Sequence, residues 1–206
     1  MVGDLHEGRL RYRVLASCLL PIGNASGKHI VNVDGLNLDE LTPIQQAFVD
    51  MRAIQCGFCT PGYVVSMTTF LISAPQYTRE AAIDALAGNI CRCTGYKSIE
   101  RAADAILQQL DGAPAPGPER VSWLVSRRFL PAYFEGMEAR LAGMDTTTAD
   151  APDGIVLSGG SDLLVQRPDD VVDKPVRLVH DIPRFKQIRV EDGRCHVGSA
   201  VTFNQL

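Results

Sequence analysis

Gln55-Cys-Gly-Phe-Cys-Thr-Pro-Gly62 and Asn89-Ile-Cys-Arg-Cys-Thr-Gly-Tyr96 gather four of the chain's six cysteines into two close pairs. A C-x2-C and a C-x-C, with residues 60–90 between them, supply four thiolates, enough to close a tetrahedral-sulfur site. Ligand count does not choose between zinc and a [2Fe-2S] cluster, because both accept four thiolates. Spacing does discriminate. Structural zinc sites usually take C-x2–4-C from each half, whereas the tighter C-x-C suits adjacent sulfurs on one iron, so iron–sulfur is favoured and four-thiolate zinc stays open. Gly57 permits close backbone approach between two ligands, and Thr60-Pro61 reads as a helix start whose free N–H groups favour an anionic cluster. Six cysteines in 206 residues are too few for a disulfide scaffold.

Outward from the cysteines the pattern is helical. Thr42-Pro43-Ile44-Gln45 is a capping box with proline at the first helical position, followed by Ala47, Phe48 and Met51 at helical spacing. Further helices are expected near 61–73, at about 79–87 ending on Gly88-Asn89, and over 97–110. The paired cysteines then fall in loops at 52–59 and 88–95, inside a compact four-helix domain spanning 36–110. Before it, residues 11–16 and 29–33 alternate as two short strands that need partners from elsewhere. After it, three prolines and two glycines in residues 111–119 mark a linker, taken as 111–122. Residues 123–206 then offer a helix at 131–142, an apolar strand at 155–157 running into Ser158-Gly159-Gly160-Ser161-Asp162, and strands at 176–179, 187–190 and 195–201. The whole reads as a multidomain α+β chain.

Composition narrows the function. Twenty Lys and Arg against 24 Asp and Glu give a net charge of −4, so no basic footprint for nucleic acid exists. At 46% hydrophobic and 21% charged the chain can bury a core. The most apolar run, residues 63–73, falls short of the roughly 20 residues of a membrane span, and the first residues hold no apolar stretch of a secretory signal. No membrane partner and a cytoplasmic location are expected. The four histidines are scattered, no nucleophile–base pair is evident, and Arg127-Arg128 reads as a solvated turn.

The two cysteine motifs together, long, paired and in this order, resemble the helical [2Fe-2S] domain of the molybdenum hydroxylase (xanthine oxidase) family. The resemblance covers about residues 36–110 and implies that Cys56, Cys59, Cys91 and Cys93 hold the cluster, with Gln55 and Cys93 facing molybdopterin on a partner chain. Arg11 to Ile22 and Gly27 to Gly35 look like the end of the family's plant-type ferredoxin domain, a β-grasp fold, which assigns residues 1–35. Its other cysteines are absent here, so Cys18 is expected to be a thiol without metal and the chain to be truncated at its start. Val156-Leu157-Ser158-Gly159-Gly160-Ser161-Asp162-Leu163 is similar to the first FAD-contacting segment of the family's flavin domain, where backbone amides meet the pyrophosphate. Residues 123–206 would be the start of that domain, too short a part of it for FAD to be expected to bind.

An iron–sulfur region followed by a flavin region in one chain is similar to the small subunit of a bacterial xanthine dehydrogenase. The resemblance implies a hetero-oligomer in which a large subunit carries the molybdenum cofactor and hydroxylates a purine, while this chain passes electrons through its cluster toward FAD and NAD. Other N-heterocycle or aldehyde substrates are the first alternative, and a non-redox zinc or interaction module the second. A partial product with unpaired strands at either end is the third. Cys195, between Arg194 and His196, reads as a strand cysteine.

Overall fold

The computed structural model describes residues 1–144, 153–180, 182–202 and 205–206. Two compact units emerge, Met1–Val14 with Lys28–Met144, and Leu15–Gly27 with Asp145–Leu206.

The first unit begins with a hairpin, β1 (Val2–His6) and β2 (Arg9–Arg13), joined by Glu7 and Gly8, both at positive φ. Two such residues form the mirror-image turn whose twist matches antiparallel strands. β3 (His29–Ile30) pairs on the other side of β1, giving the antiparallel order β2-β1-β3. Gly3 faces Tyr12 across the hairpin, and any Cβ there would lie 2.6 Å from the ring. The sheet therefore contains a strand that the sequence reading missed. Gly3 and Asp4 are poor strand formers, and β1 is held by its partners on both sides rather than by propensity. The expected strand at 29–33 shortens to two residues.

Four helices follow as expected: α1 (Pro43–Asp50), α2 (Thr60–Ser73), α3 (Arg79–Leu86) and α4 (Lys97–Leu107). The Thr42 capping box is closed both ways, with Gln45 N–H donating to Thr42 Oγ1 at 3.3 Å and Thr42 N–H to Gln45 Oε1 at 2.8 Å. Thr78 Oγ1 caps α3 by accepting from Ala81 N–H. α2 is apolar nearly all round and forms the central helix, burying Tyr63, Val64, Met67 and Leu71, and it packs on α1, α3 and β2. α1 and α4 pack together, with Ile44 and Phe48 facing the same core as Ile99 and Ile106.

The expected linker does not end this unit. α5 (Pro118–Ser126) starts within it and packs on α2. Arg120, 3% exposed, donates to the carbonyls of Pro114 and Ala74 and lies over the Tyr77 ring. The residues read as linker are thus tied down by one buried guanidinium. Glycine splits the expected helix at 131–142: Ala132–Phe134 make a single 3-10 turn, Gly136 takes φ 70°, and α6 (Met137–Ala142) follows. Glu138 on α6 accepts from Leu10 N–H at 2.9 Å, tying α6 to the hairpin.

In the second unit, β4 (Ile155–Leu157) pairs in parallel with β5 (Val176–Leu178). Between them lie two short helices not foreseen from sequence, α7 (Leu163–Gln166) and α8 (Pro168–Asp173). β6 (Ile188–Glu191) and β7 (Arg194–Val197) form a separate hairpin; the second ends at Val197 rather than at 201. Leu15–Gly27 belong here: Asn24 donates to Ser158 O at 2.6 Å, and Gly23 lies against Leu178. The units therefore divide the chain differently from the sequence boundaries at 35, 110 and 122. Residues 15–27 leave the hairpin that precedes them, and residues 118–144 stay with the helices. No helix among the described residues is long and apolar enough to cross a membrane.

Candidate metal centre

Both cysteine loops are anchored on α2. α1 ends with Arg52 at positive φ and Ala53 N–H donating back to Phe48 O, which turns the chain into the first loop. Gly57 at φ +84° reverses it again, and Cys59 becomes the N-cap of α2. Thr60 is the first helical residue rather than the cap, and its Oγ1 is buried without a hydrogen-bond partner. The second loop is clamped at Asn89, whose carbonyl accepts from Tyr63 OH at 2.9 Å and whose amide donates to Ser66 Oγ at 2.8 Å. Gly62 makes this approach possible, since a Cβ there would lie 2.4 Å from Asn89 Oδ1.

The clamp brings the cysteines together in crossed pairs. Cys56 and Cys93 have their sulfurs 3.6 Å apart, and Cys59 interacts with Cys91. Each pair draws one sulfur from each motif, which corrects the expectation that the two sulfurs of the C-x-C serve one metal. Two sulfurs on one tetrahedral metal with bonds of about 2.3 Å lie roughly 3.8 Å apart. Among the described residues no three metal-binding side chains converge on a single point. Four thiols in two pairs supply the donor set that a [2Fe-2S] core would take, and the unpartnered Thr60 hydroxyl beside Cys59 is suited to an anionic sulfur acceptor.

Within each pair the electrostatics are unequal. The Phe58 backbone N–H and then the Cys93 side chain lower the Cys56 thiol, while the bond to Cys56 raises Cys93. In the other pair, the Thr94 hydroxyl and backbone N–H bring Cys91 down to about 7, whereas burial and then Cys91 push Cys59 up to about 11. One member of each pair is poised to ionise first, the state in which thiols bind metal. Burial, with the neighbouring Tyr96, Cys59 and Cys91, pushes Tyr63 up to about 12.

Cys91 is buried, whereas Cys56, Cys93 and Gln55 are exposed. Around the exposed pair stand apolar side chains left in solvent: Phe58 at 94%, Ile90 at 82% and Tyr96 at 42% exposure. Thr94 and Tyr96, which sequence reasoning quoted without assigning a role, are part of the site: Cys91 N–H donates to Tyr96 OH at 3.2 Å. The signal was the Thr-Gly-Tyr that follows the second pair. Cys18 and Cys195 are exposed thiols and belong to neither pair.

The turn from Val156 to Leu163 is a strand–turn–helix. Gly160 takes φ +83°, Leu157 is buried, and residues 157–163 line a cavity of about 230 Å³. That is below the usual range for ligand pockets, roughly 300–1,000 Å³. Asp162 is the charged side chain lining it, and it accepts from Gln166 at 2.6 Å. This cavity does not fit a whole flavin dinucleotide.

Residues 32–104 match the [2Fe-2S] binding domain. The chain is 45% identical over 86 residues to the nicotine 6-hydroxylase small subunit of Paenarthrobacter nicotinovorans, covering 42% of this chain and 52% of that one. It is 43% identical over 99 residues to a xanthine dehydrogenase of Oryza sativa subsp. japonica, covering 47% and 7%. It is also 36% identical over 111 residues to aldehyde oxidase 2 of Mus musculus, covering 53% and 8%. Among solved structures, quinoline 2-oxidoreductase of Pseudomonas putida 86 aligns with a TM-score of 0.38 at 35% identity, over 41% of this chain and 54% of that one. The chain thus spans about half of one small subunit and under a tenth of the larger relatives. Residues 32–104 are thus similar to the [2Fe-2S] binding domain that these hydroxylases, dehydrogenases and oxidases share.

Proposed function

We propose that this chain is the electron-transfer component of a molybdenum hydroxylase, with one [2Fe-2S] cluster held by Cys56, Cys59, Cys91 and Cys93. The observation that carries the reading is the crossed pairing of four thiols within the matched domain. A bound [2Fe-2S] cluster would supply reversible one-electron transfer, tuned by hydrogen bonds and burial. The protein's own part is positional. Asn89, Tyr63 and Ser66 fix the loops, Gly57 and Gly62 let them approach, and the buried Cys91 side excludes water. The exposed Cys56–Cys93 side, rimmed by Gln55, Phe58 and Ile90, suits docking of a molybdenum-cofactor large subunit, with Gln55 and Cys93 turned toward its molybdopterin.

In the assembled hetero-oligomer, electrons would pass from the molybdenum chain through this cluster toward FAD and NAD, on the xanthine dehydrogenase pattern, with a purine as substrate. An N-heterocycle or aldehyde is the alternative, and xanthine-dependent against aldehyde-dependent NAD reduction by the holoenzyme separates them. The hairpin at 1–14 is read as part of a plant-type ferredoxin domain, and Val156–Leu163 as a first flavin-contact turn that does not retain FAD unaided. Gel filtration with FAD is expected to leave the chain free of flavin.

The decisive experiment is anaerobic purification followed by visible and EPR spectra, with iron, zinc and acid-labile sulfide analysis. About two irons and two sulfides per chain and one signal after dithionite are expected. Cys91→Ser should abolish them. A colourless protein containing zinc and no sulfide overturns the reading in favour of a structural zinc module.

A further inference from the structure

The hydrogen bonds around the second cysteine loop have a direction. Thr94 Oγ1 lies 3.1 Å from Cys91 Sγ, and Thr94 N–H donates to the same sulfur at 3.5 Å. Tyr96 N–H donates to Thr94 Oγ1 at 3.3 Å. A hydroxyl has one proton and accepts through its lone pairs, so with Tyr96 filling an acceptor site the Thr94 proton is free to point at sulfur. A metal-bound thiolate has no proton of its own, which leaves Thr94 as the donor. Tyr96 is held in this role at a cost. It sits at φ 67°, directly after Gly95 at φ 61°, a left-handed conformation that a residue with a Cβ adopts only under constraint. Two successive left-handed residues aim the Tyr96 amide at Thr94 and return its ring to the Cys91 amide, where its OH accepts at 3.2 Å. The strained turn is the device that orients the Thr94 hydroxyl.

We propose that Thr94 is a positioning residue that raises the reduction potential of the cluster by donating its hydroxyl proton to Cys91 Sγ, with the Gly95-Tyr96 turn fixing that donation. The inference rests on the cluster assignment above. One electron from an external donor such as dithionite converts one ferric iron to ferrous; no covalent bond forms or breaks and no proton leaves. The added negative charge spreads onto the sulfurs, so the O–H···S bond is stronger in the reduced state and favours it. Cys91 is 6% exposed, so solvent competes little for that sulfur.

The test is a potentiometric titration of wild type, Thr94→Val and Thr94→Ser, each assayed for iron and sulfide. Thr94→Val keeps the shape and loses the donor. At the wild-type midpoint its oxidised-to-reduced ratio should rise about fivefold, as expected for a bond worth roughly 1 kcal/mol more in one state. Thr94→Ser should restore the wild-type midpoint, which a packing role for the threonine methyl would not predict. A loaded Thr94→Val with an unchanged midpoint overturns the inference and leaves the cluster assignment standing. Wild type without iron and sulfide removes both. Should Thr94→Val fail to load, Thr94→Ala takes its place. ENDOR of the reduced wild type in D2O reads the same bond without substitution: a strongly coupled exchangeable deuteron is expected, and its absence overturns the inference.

Discussion

Helix α2 and the β6–β7 hairpin are opposite solutions to the same problem. α2 buries nine of its fourteen residues, and the loops that carry the cysteines hang from it. Every residue of β6 and β7 is exposed, including Val190 at 74% and Val197 at 47%. A two-stranded ribbon is marginal in water without a packed face, whereas a helix apolar all round is stable only inside a core. The contrast shows where this chain can hold a site to fixed distances. Sulfurs placed 3.6 Å apart need a scaffold that does not yield, and α2 supplies it.

Hydrogen exchange should break or confirm that contrast with the largest effect. Amides of α2 are expected to exchange about 10³-fold or more slowly than those of β6 and β7, because they open only with the core. Comparable rates would mean that the first unit is not the rigid one. Substitution sharpens the same point. Met67, with no exposed surface, should cost about 2–5 kcal/mol as Met67→Ala, while Val190→Ala should stay within about 0.5 kcal/mol. Urea denaturation of the two variants measures both.

Arg120 tests how firmly the residues after α4 belong to the helical unit. Arg120→Met removes two hydrogen bonds from a charged donor and leaves the Ala74 carbonyl at the end of α2 unpartnered. The expected loss is about 2–4 kcal/mol, with earlier proteolysis between 111 and 117. A neutral result would restore the linker suggested by Pro114, Pro116 and Pro118.

The site was legible in the sequence to a degree that the domain boundaries were not. Capping residues act over three positions, so Thr42-Gln45 and Thr78 announced their helices correctly. The cysteine motifs placed four thiols in two loops at helix ends, where the structure has them. They did not announce the crossed pairing, because which sulfur meets which depends on the Tyr63–Asn89 clamp, 26 residues apart in sequence. Thr94 and Tyr96 escaped for a related reason: a left-handed tyrosine is not recognisable from residue type. β1 and α5 owe their existence to partners far along the chain, β3 for one and Ala74 for the other, and local propensity contains neither.

The smallest expected effect concerns the hairpin side of the first unit, where the core is polar at its edge. His29 Nδ1 lies 2.7 Å from Tyr12 OH, and the ring packs edge-on against Tyr12, Tyr133 and Phe134. Burial first, then the charges of Arg140 and the Met1 amino group, hold the imidazole below its ordinary 6.5. The unfolded chain therefore takes up this proton more readily than the folded one. His29 contributes its stability fully above about pH 6.5 and loses it as pH falls through the lower folded value. His29→Gln cannot take up that proton. The difference in urea midpoint between pH 7.5 and pH 5 should be narrower for the variant than for wild type. An equal difference would show that protonating His29 costs the fold nothing. The acid sensitivity of this unit would then have to arise elsewhere, as at Glu100, whose carboxyl Lys97 and then Arg79 hold below its ordinary range.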